Sequence, residues 1–428
     1  MLSMAKSERS EPPRPNLPHG QLEEAIVTRR KRAFSQWLDL FRWIAALLVV
    51  VNHCSNRFLI RITDVDAAHR SIPFYLFAFF GGLGREAVMV FFVLSGYLVG
   101  GGLWKDSKRS GMPDIPKYLI KRLSRLCIVV YPTLLLVILL NLTGIFVFKG
   151  VEAGVYPQDI LHTMHPAGLA CNAAFLQTAI CKPYGDDNAL WSLFNEFWYY
   201  VTWPLVLLGL ITVSVWRRAA FFLGATSLLT LLSLLQYREY ALIAPYFLIW
   251  LVGVVVAILP RPLIVSFPWS ASLFLLGLLA DRFLMRRSFV DSGPFGIFFV
   301  DLSLAILFAN LLVTMRHHGA LPCPFGNQWN TLLASFSFSL YCIHTPVLMI
   351  YGAVLKHYTG TGWSMAPDRA WQWWAIIFAI VLCMVSAFGL SRITEVHTDR
   401  LRRFLLQLLA SLRPTGTSSK HAQEGVEV

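Results

Sequence analysis

Long apolar stretches separated by short polar segments make up most of the chain. Segment 73–83 is apolar but too short to cross a bilayer, so we interpret it as an interfacial or re-entrant piece packed under the second helix. The remaining stretches approach the roughly 20 residues that a helix needs to cross a hydrocarbon core. Their pattern predicts an all-α, polytopic membrane protein with about ten transmembrane helices. The stretches cover 36–57, 84–103, 126–147, 190–214, 219–236, 241–259, 266–284, 295–315, 331–355 and 371–393.

The composition excludes a soluble enzyme and a disordered chain. Of the 428 residues, 56% are hydrophobic and only 14% are charged, whereas a soluble globular chain carries about 25% charged residues. A chain this apolar has more apolar surface than a soluble core of its size can bury. The net charge of +13 comes from basic residues that cluster at the ends of apolar runs. This placement favours contact with anionic lipid headgroups over contact with nucleic acid.

Basic residues also predict the orientation of the chain in the bilayer. Residues 1–34 are polar and end in a run of four basic residues, which indicates a cytosolic tail in front of a first helix that acts as an uncleaved insertion signal. Loop 104–125 is rich in Lys and Arg, and further basic clusters follow in alternate loops. By the positive-inside rule both termini are cytosolic. We therefore expect a tail over 1–34, a transmembrane domain over 35–395 and a second tail over 396–428.

Two loops on the expected outer side differ in charge. Loop 148–189 has few basic residues, whereas loop 281–294 carries Arg282, Arg286 and Arg287 and opposes the orientation locally. Cys171 and Cys181 share loop 148–189, where an oxidising compartment would allow a disulfide. The sequence leaves a disulfide and two free thiols equally open. None of the seven cysteines forms a C-x-x-C pair, so we expect no metal site.

Ionisable residues within the apolar stretches are the most informative, because each charge costs at least about 2.5–3.5 kcal/mol on insertion scales. Arg42 and His53 are eleven positions apart in the first stretch. That spacing is about three helical turns, so both side chains project from one face, roughly 16 Å apart along the helix. We interpret them as a polar stripe that joins an anion-binding group to a titratable imidazole. The competing interpretation is a snorkelling arginine and a hydrogen-bonded core histidine.

Three further stretches carry polar residues that allow a structural and a functional interpretation. Ser95 in the second stretch suits close helix packing or a ligand hydrogen bond. Arg122 and Arg125 share a face at the start of the third stretch, where they suit phosphate binding or ordinary membrane anchoring. Glu196 in the fourth stretch lies among aromatic residues that suit a sugar ring, but it also suits a structural ion pair with an arginine. His344 in the ninth stretch is equally consistent with a structural histidine and a ligand contact.

Taken together, these segments resemble the membrane-bound acyltransferase-3 family of bacteria, whose members O-acylate surface and secreted carbohydrates. Five motifs in the family's order, across 36–395, are more specific than any single one. Asn195 departs from the pattern, since many relatives have a small or aliphatic residue there, and we expect no effect on the chemistry. The matching motifs are Arg42 with His53 for R-x10-H, Phe91–Tyr97 for F-F-x-x-S-G, Arg122 with Arg125 and Tyr131-Pro132, Trp191-Ser192-Leu193 with Glu196 and Tyr199, and Ser339-Leu340-Tyr341 with His344.

The resemblance implies an integral O-acyltransferase of the bacterial inner membrane. It would move an acyl group, acetyl by default, from acyl-CoA to a carbohydrate hydroxyl. We expect His53 to be the catalytic base and Glu196 to orient or charge its imidazole, while Arg42, Arg122 and Arg125 bind the donor. The residues expected to support the site or to contact substrate are Ser95, Trp191, Tyr199, Tyr341 and His344.

The resemblance also predicts the partners. Acyl-CoA is expected as a co-substrate, with no permanently bound cofactor and no metal. The other partners are the carbohydrate acceptor and the lipid bilayer, and not nucleic acid. Two alternatives stay open: a covalent acyl-enzyme on His53 or Ser95, and a polytopic transporter or flippase, since intramembrane Arg, His and Glu also form proton relays.

Overall fold

The computed structural model describes residues 19–60, 64–65, 71–236, 242–284, 293–319, 323, 325, 327–366 and 369–411. This part of the chain is built from α-helices, and its only β-type pairings are two isolated bridges. The helices are α1 His19–Phe58, α2 Ile72–Gly81, α3 Gly84–Ser95, α4 Gly101–Ser110, α5 Ile115–Leu142, α6 Ile160–Thr163, α7 Pro166–Ala173, α8 Trp191–Ile211, α9 Val215–Leu235, α10 Ile243–Ile258, α11 Phe267–Leu284, α12 Gly293–His318, α13 Asn327–Ser335, α14 Ser337–Thr359, α15 Ala370–Ile393 and α16 Thr398–Ser411.

Each of the ten predicted stretches falls on a helix, which confirms the all-α, polytopic membrane fold. Three predicted stretches fall on helices that are not among the membrane-spanning segments given below. These helices are α8 with 21 residues, α11 with 18 and the shorter apolar helix α10 with 16. The short segment 73–83 corresponds to α2, which packs against α1. Seven segments of the described chain are long and apolar enough to cross a membrane: Val27–Phe58, Ile72–Ser110, Ile115–Val147, Val215–Leu235, Phe295–His318, Ser337–Thr359 and Ala370–Ser411.

The polar segments at the two ends of the chain also contain helix. Helix α1 begins at His19 and continues without a break past residue 34. Helix α16 lies within the segment expected to be a tail and packs against α5. Arg286 and Arg287, which opposed the predicted orientation, lie outside the described residues. Cytosolic termini therefore stay a prediction.

Glycines bring α3 and α10 into backbone contact. Gly96 and Gly100 bound a π-helical turn that joins α3 to α4. A Cβ atom on Gly96 would collide with the Trp250 carbonyl, and one on Gly253 would collide with the Val93 carbonyl. This close approach agrees with the first of the two interpretations of Ser95, namely that the segment allows close helix packing. It brings the Trp250 side chain next to Ser95.

The loop between α5 and α8 folds over one end of the helix bundle. Cys171 and Cys181 form a disulfide with a Cα–Cα distance of 6.4 Å, so the structure selects one of the two states that the sequence left open. The Asn172 side chain holds the loop together by donating to the carbonyl of Lys182 and accepting from the amide of Tyr184.

Candidate functional site

A cavity of about 120 Å³ lies among α1, α3, α5, α8 and α14. Much of its wall is apolar, with Phe91, Leu126 and Phe338 among the lining residues. Apolar walls with a few convergent polar groups are the usual form of a small-molecule site. The polar lining residues are Arg42, Ser95, Arg122, Arg125, Ser192, Glu196, Tyr200, Ser337 and Tyr341.

Three arginines bring positive charge to this cavity. Arg42 comes from α1, and Arg122 and Arg125 come from one face of α5, as their spacing predicted. The Arg42 guanidinium lies 3.5 Å from the Asp39 carboxylate, and Arg122 Nε is buried without a hydrogen-bond partner. Guanidinium groups bind phosphate oxygens through paired N–H donors. The wall around these arginines can therefore hold an anionic ligand.

Glu196 is held by hydroxyl groups. The Ser95 hydroxyl donates to Glu196 Oε1 at 2.7 Å, and the Tyr200 hydroxyl donates to the same oxygen. Trp250 Nε1 donates to Ser95 Oγ at 3.1 Å. The Ser95 proton therefore points at a carboxylate while its oxygen accepts from the indole.

The partners of Glu196 differ from the expected one. No hydrogen bond joins Glu196 to His53, although both residues are described. The structure instead couples Glu196 in α8 to Ser95, the last residue of α3. Tyr200 was missed although it lies one helical turn after Glu196 and so shares its face. Trp250 carries no comparable sequence signal, because it comes from a different helix.

His53 contacts a second histidine. Its ring centroid lies 4.9 Å from that of His344, which is fully buried. His344 Nδ1 lies 3.1 Å from the Leu340 carbonyl oxygen and 2.9 Å from that of Tyr341. A carbonyl only accepts, so Nδ1 carries the proton and Nε2 of the neutral ring is an acceptor. That Nε2 is buried without a hydrogen-bond partner.

Arg42 and His53 point from α1 towards the same neighbours, as their spacing predicted. Arg42 donates to the Ala334 carbonyl at the end of α13, and His53 meets His344 in α14. Arg42 lines the cavity, whereas neither histidine does. Tyr341 lies between the two groups, because it lines the cavity and its ring centroid is 6.0 Å from that of His344.

The remaining residues of the expected site support its walls. The Tyr341 hydroxyl donates to the Ala189 carbonyl at 2.8 Å and lies 2.6 Å from Ser192 Oγ. Tyr199 is fully buried and donates to the Ile243 carbonyl. Trp191 and Tyr199 do not line the cavity and reach it through Phe92, whose ring both contact. Their positions fit a supporting contribution to the site.

Two charged residues near the histidines escaped the sequence analysis. Arg57 lies one turn after His53 on α1, a spacing that shares its face and could have revealed it. Its guanidinium lies 6.0 Å from the centre of the Trp363 ring. Asp187 ends the loop before α8 and is fully buried. A loop position gives no periodic signal, so only the fold shows that Asp187 is inside.

A family of known proteins matches most of the chain. The sequence profile of a family described as an acyltransferase domain, Acyl_transf_3, matches residues 35–392. The match spans both histidines, the arginines of the cavity and Glu196. Neither a curated protein nor a solved structure shows significant similarity to the chain.

Proposed function

Because the chain belongs to the acyltransferase-3 family and is a multi-pass membrane acyltransferase, we propose that it transfers an acyl group from acyl-CoA to a hydroxyl of a carbohydrate. Acetyl is the default acyl group, and the bacterial inner membrane is the proposed location. The observation that carries the donor assignment is the cavity itself. Its three guanidinium groups suit the phosphates of CoA, and its apolar wall suits the pantetheine arm and the acyl chain.

We assign the base to the histidine pair at the far side of Tyr341. His53 takes the proton of the acceptor hydroxyl, and the hydroxyl oxygen attacks the thioester carbonyl carbon. A C–O bond forms while the C–S bond breaks, and the departing CoA thiolate takes the proton back from the imidazole. His344 supports this step, since its fixed tautomer presents an acceptor nitrogen beside His53.

The hydrogen bond from Ser95 to Glu196 favours a second, covalent route for the same reaction. Glu196 would accept the Ser95 proton, and Ser95 Oγ would bond to the thioester carbonyl carbon as the C–S bond breaks. CoA would then leave as the thiol, with the proton from Glu196, before the acceptor arrives. The acyl group would then pass from Ser95 to the acceptor hydroxyl. A burst of CoA release equal to the amount of enzyme, without acceptor, distinguishes this route from direct transfer.

Glu196→Gln separates the charge of Glu196 from its hydrogen bonds. The glutamine side chain keeps an oxygen that can accept from Ser95 and Tyr200, so we expect little change in the melting temperature. On the covalent route, loss of the carboxylate removes the acceptor of the Ser95 proton, and kcat should fall by about 10-fold or more. Turnover of labelled acetyl-CoA and a thermal melt of the same preparation measure both effects. Activity within twofold of wild type would leave Glu196 with a structural contribution alone.

A transfer assay tests the proposed function as a whole. The full-length protein in nanodiscs should release CoA from ¹⁴C-acetyl-CoA and place the label on a glycan fraction prepared from bacterial O-antigen, exopolysaccharide or periplasmic glucan. A carrier would instead move a labelled solute across proteoliposomes with no loss of the thioester. Intact acetyl-CoA after incubation with every glycan fraction would refute the proposed donor and acceptor.

A further inference from the structure

The loop between α5 and α8 carries a second, polar pocket of about 270 Å³. On one side Lys182 Nζ lies 3.1 Å from Asp159 Oδ2. On the other side the Asn188 side-chain amide donates to the carboxylate and to the backbone carbonyl of Asp186. Carboxylate, ammonium and amide groups in one pocket can donate to and accept from a ligand with many hydroxyl groups. The Thr163 hydroxyl adds to this polar lining.

The backbone below this pocket has an uncommon conformation. Gly185 and Asp186 have φ angles of +61° and +58°, so two consecutive residues are left-handed. Such a conformation is uncommon for a residue with a side chain, and it clusters at functional sites. The Asn141 side chain of α5 donates to the Gly185 carbonyl at 2.9 Å, which ties the turn to the helix bundle. The turn leaves Asp186 at the pocket and Asp187 in the interior.

Asp187 is a carboxylate buried in the interior below the polar pocket. It is 0% exposed, and neither of its oxygens has a hydrogen-bond partner at ordinary distance. Burial raises the pKa of the Asp187 carboxyl to about 7, although the nearby Thr345 hydroxyl and Arg57 guanidinium favour its charged form. Thr345 follows His344 directly in α14, so Asp187 lies beside the helix that carries His344. Polar groups buried without a hydrogen-bond partner are costly and call for a ligand or a mechanism.

Arg57 links this carboxylate to the histidines. It follows His53 by one turn of α1, and its charge interacts with Asp186 and Asp187. His53 also lies within the field of this guanidinium. Arg57 therefore lies between the histidine pair and the two aspartates below the polar pocket.

We propose that the polar pocket binds the carbohydrate acceptor, and that Asp187 and Arg57 below it hold the reacting hydroxyl towards the His53–His344 pair. This assignment rests on the proposed function and adds the acceptor side to it. The hydroxyl proton passes to the imidazole, the acceptor oxygen bonds to the acyl carbon, and CoA leaves with that proton as the thiol. The donor and the acceptor then approach the histidines from opposite ends of the bundle.

The test compares Asp186→Asn and Asp187→Asn with wild type in full-length protein in nanodiscs. Asparagine keeps the shape of aspartate and tolerates the left-handed conformation at 186. The donor is labelled acetyl-CoA, and the acceptor probe is the glycan fraction that best stimulates CoA release by wild type. We expect Asp186→Asn to raise the KM for the glycan, and Asp187→Asn to lower kcat, each by about 10-fold or more. The KM for acetyl-CoA should stay unchanged in both variants.

Glu152→Gln is the matched control, because Glu152 is an exposed carboxylate of the same loop that does not line the pocket. It should behave as wild type. A thermal melt and gel filtration check that each variant folds. If Asp187→Asn does not fold, Lys182→Gln takes its place as a second test of the polar pocket.

Three results separate the possibilities. Unchanged glycan kinetics in the pocket variants, with active wild type, would overturn the acceptor site and leave the proposed function intact. A raised KM for acetyl-CoA would place these residues on the donor side and also overturn it. Wild type that no glycan fraction stimulates would refute the carbohydrate acceptor, and this site with it.

Discussion

His53→Ala should reduce acyl transfer by about 100-fold to 10,000-fold, the usual contribution of a general base. The variant removes the imidazole whose ring centroid lies 4.9 Å from that of His344, while it leaves the arginines of the cavity in place. The KM for acetyl-CoA should therefore change little, and the loss should fall on kcat. Initial rates of CoA release with the glycan probe, over a range of acetyl-CoA concentrations, measure both constants.

Two variants guard this test against a folding defect. His357→Ala removes an exposed histidine of α14 whose ring packs on Phe148, and it should retain wild-type turnover. His53→Gln keeps a polar side chain next to His344 but has no imidazole, so it should fold and remain inactive. Transfer within tenfold of wild type in folded His53→Ala would remove His53 as the base and favour the route through Ser95.

The double variant Arg122→Ala, Arg125→Ala should raise the KM for acetyl-CoA by about 10-fold to 100-fold. This range corresponds to the loss of a single charge-assisted hydrogen bond of about 1.5–3 kcal/mol. Both guanidinium groups line the cavity from one face of α5, so they can contact the same phosphate group. The effect on kcat should be smaller, because the histidine pair is untouched.

A shortened donor makes this experiment specific for phosphate contacts. S-acetyl-pantetheine carries the thioester but no phosphate, and its KM should be the same in wild type and in the double variant. Lys121→Ala is the control for general basic charge, since Lys121 is an exposed neighbour on α5 that does not line the cavity. An unchanged KM for acetyl-CoA in the double variant would move the donor phosphates away from these arginines.

The arginine positions show how far periodicity can predict a site. Three or four residues along a helix return a side chain to the same face, so the spacing of Arg122 and Arg125 was enough to predict their common orientation. The same rule placed Arg42 and His53 on one face of α1, and the structure turns both towards α13 and α14. Within one helix the geometry is regular, so the spacing of residues in the sequence predicts which side chains share a face.

Contacts between helices were harder to predict. The sequence showed that Glu196 lay within an apolar stretch, but not that Ser95 and Tyr200 would donate to it. It also did not show that His53 would meet His344, 291 positions later in the numbering. Which faces of two helices meet depends on packing around residues such as Gly96 and Gly253, and no periodic pattern encodes it.

The sequence by itself determined that the chain is a helical membrane protein, which family it resembles, and which ionisable residues lie within apolar stretches. These properties follow from segment length, hydropathy and helical spacing, which are local. Only the tertiary structure decided that Ser95 donates to Glu196, that the two histidines pair, and that Asp187 turns inward below the polar pocket. Those outcomes depend on how distant helices and the loop α5–α8 pack together, because a buried polar group takes its partners from whichever segments the fold brings next to it.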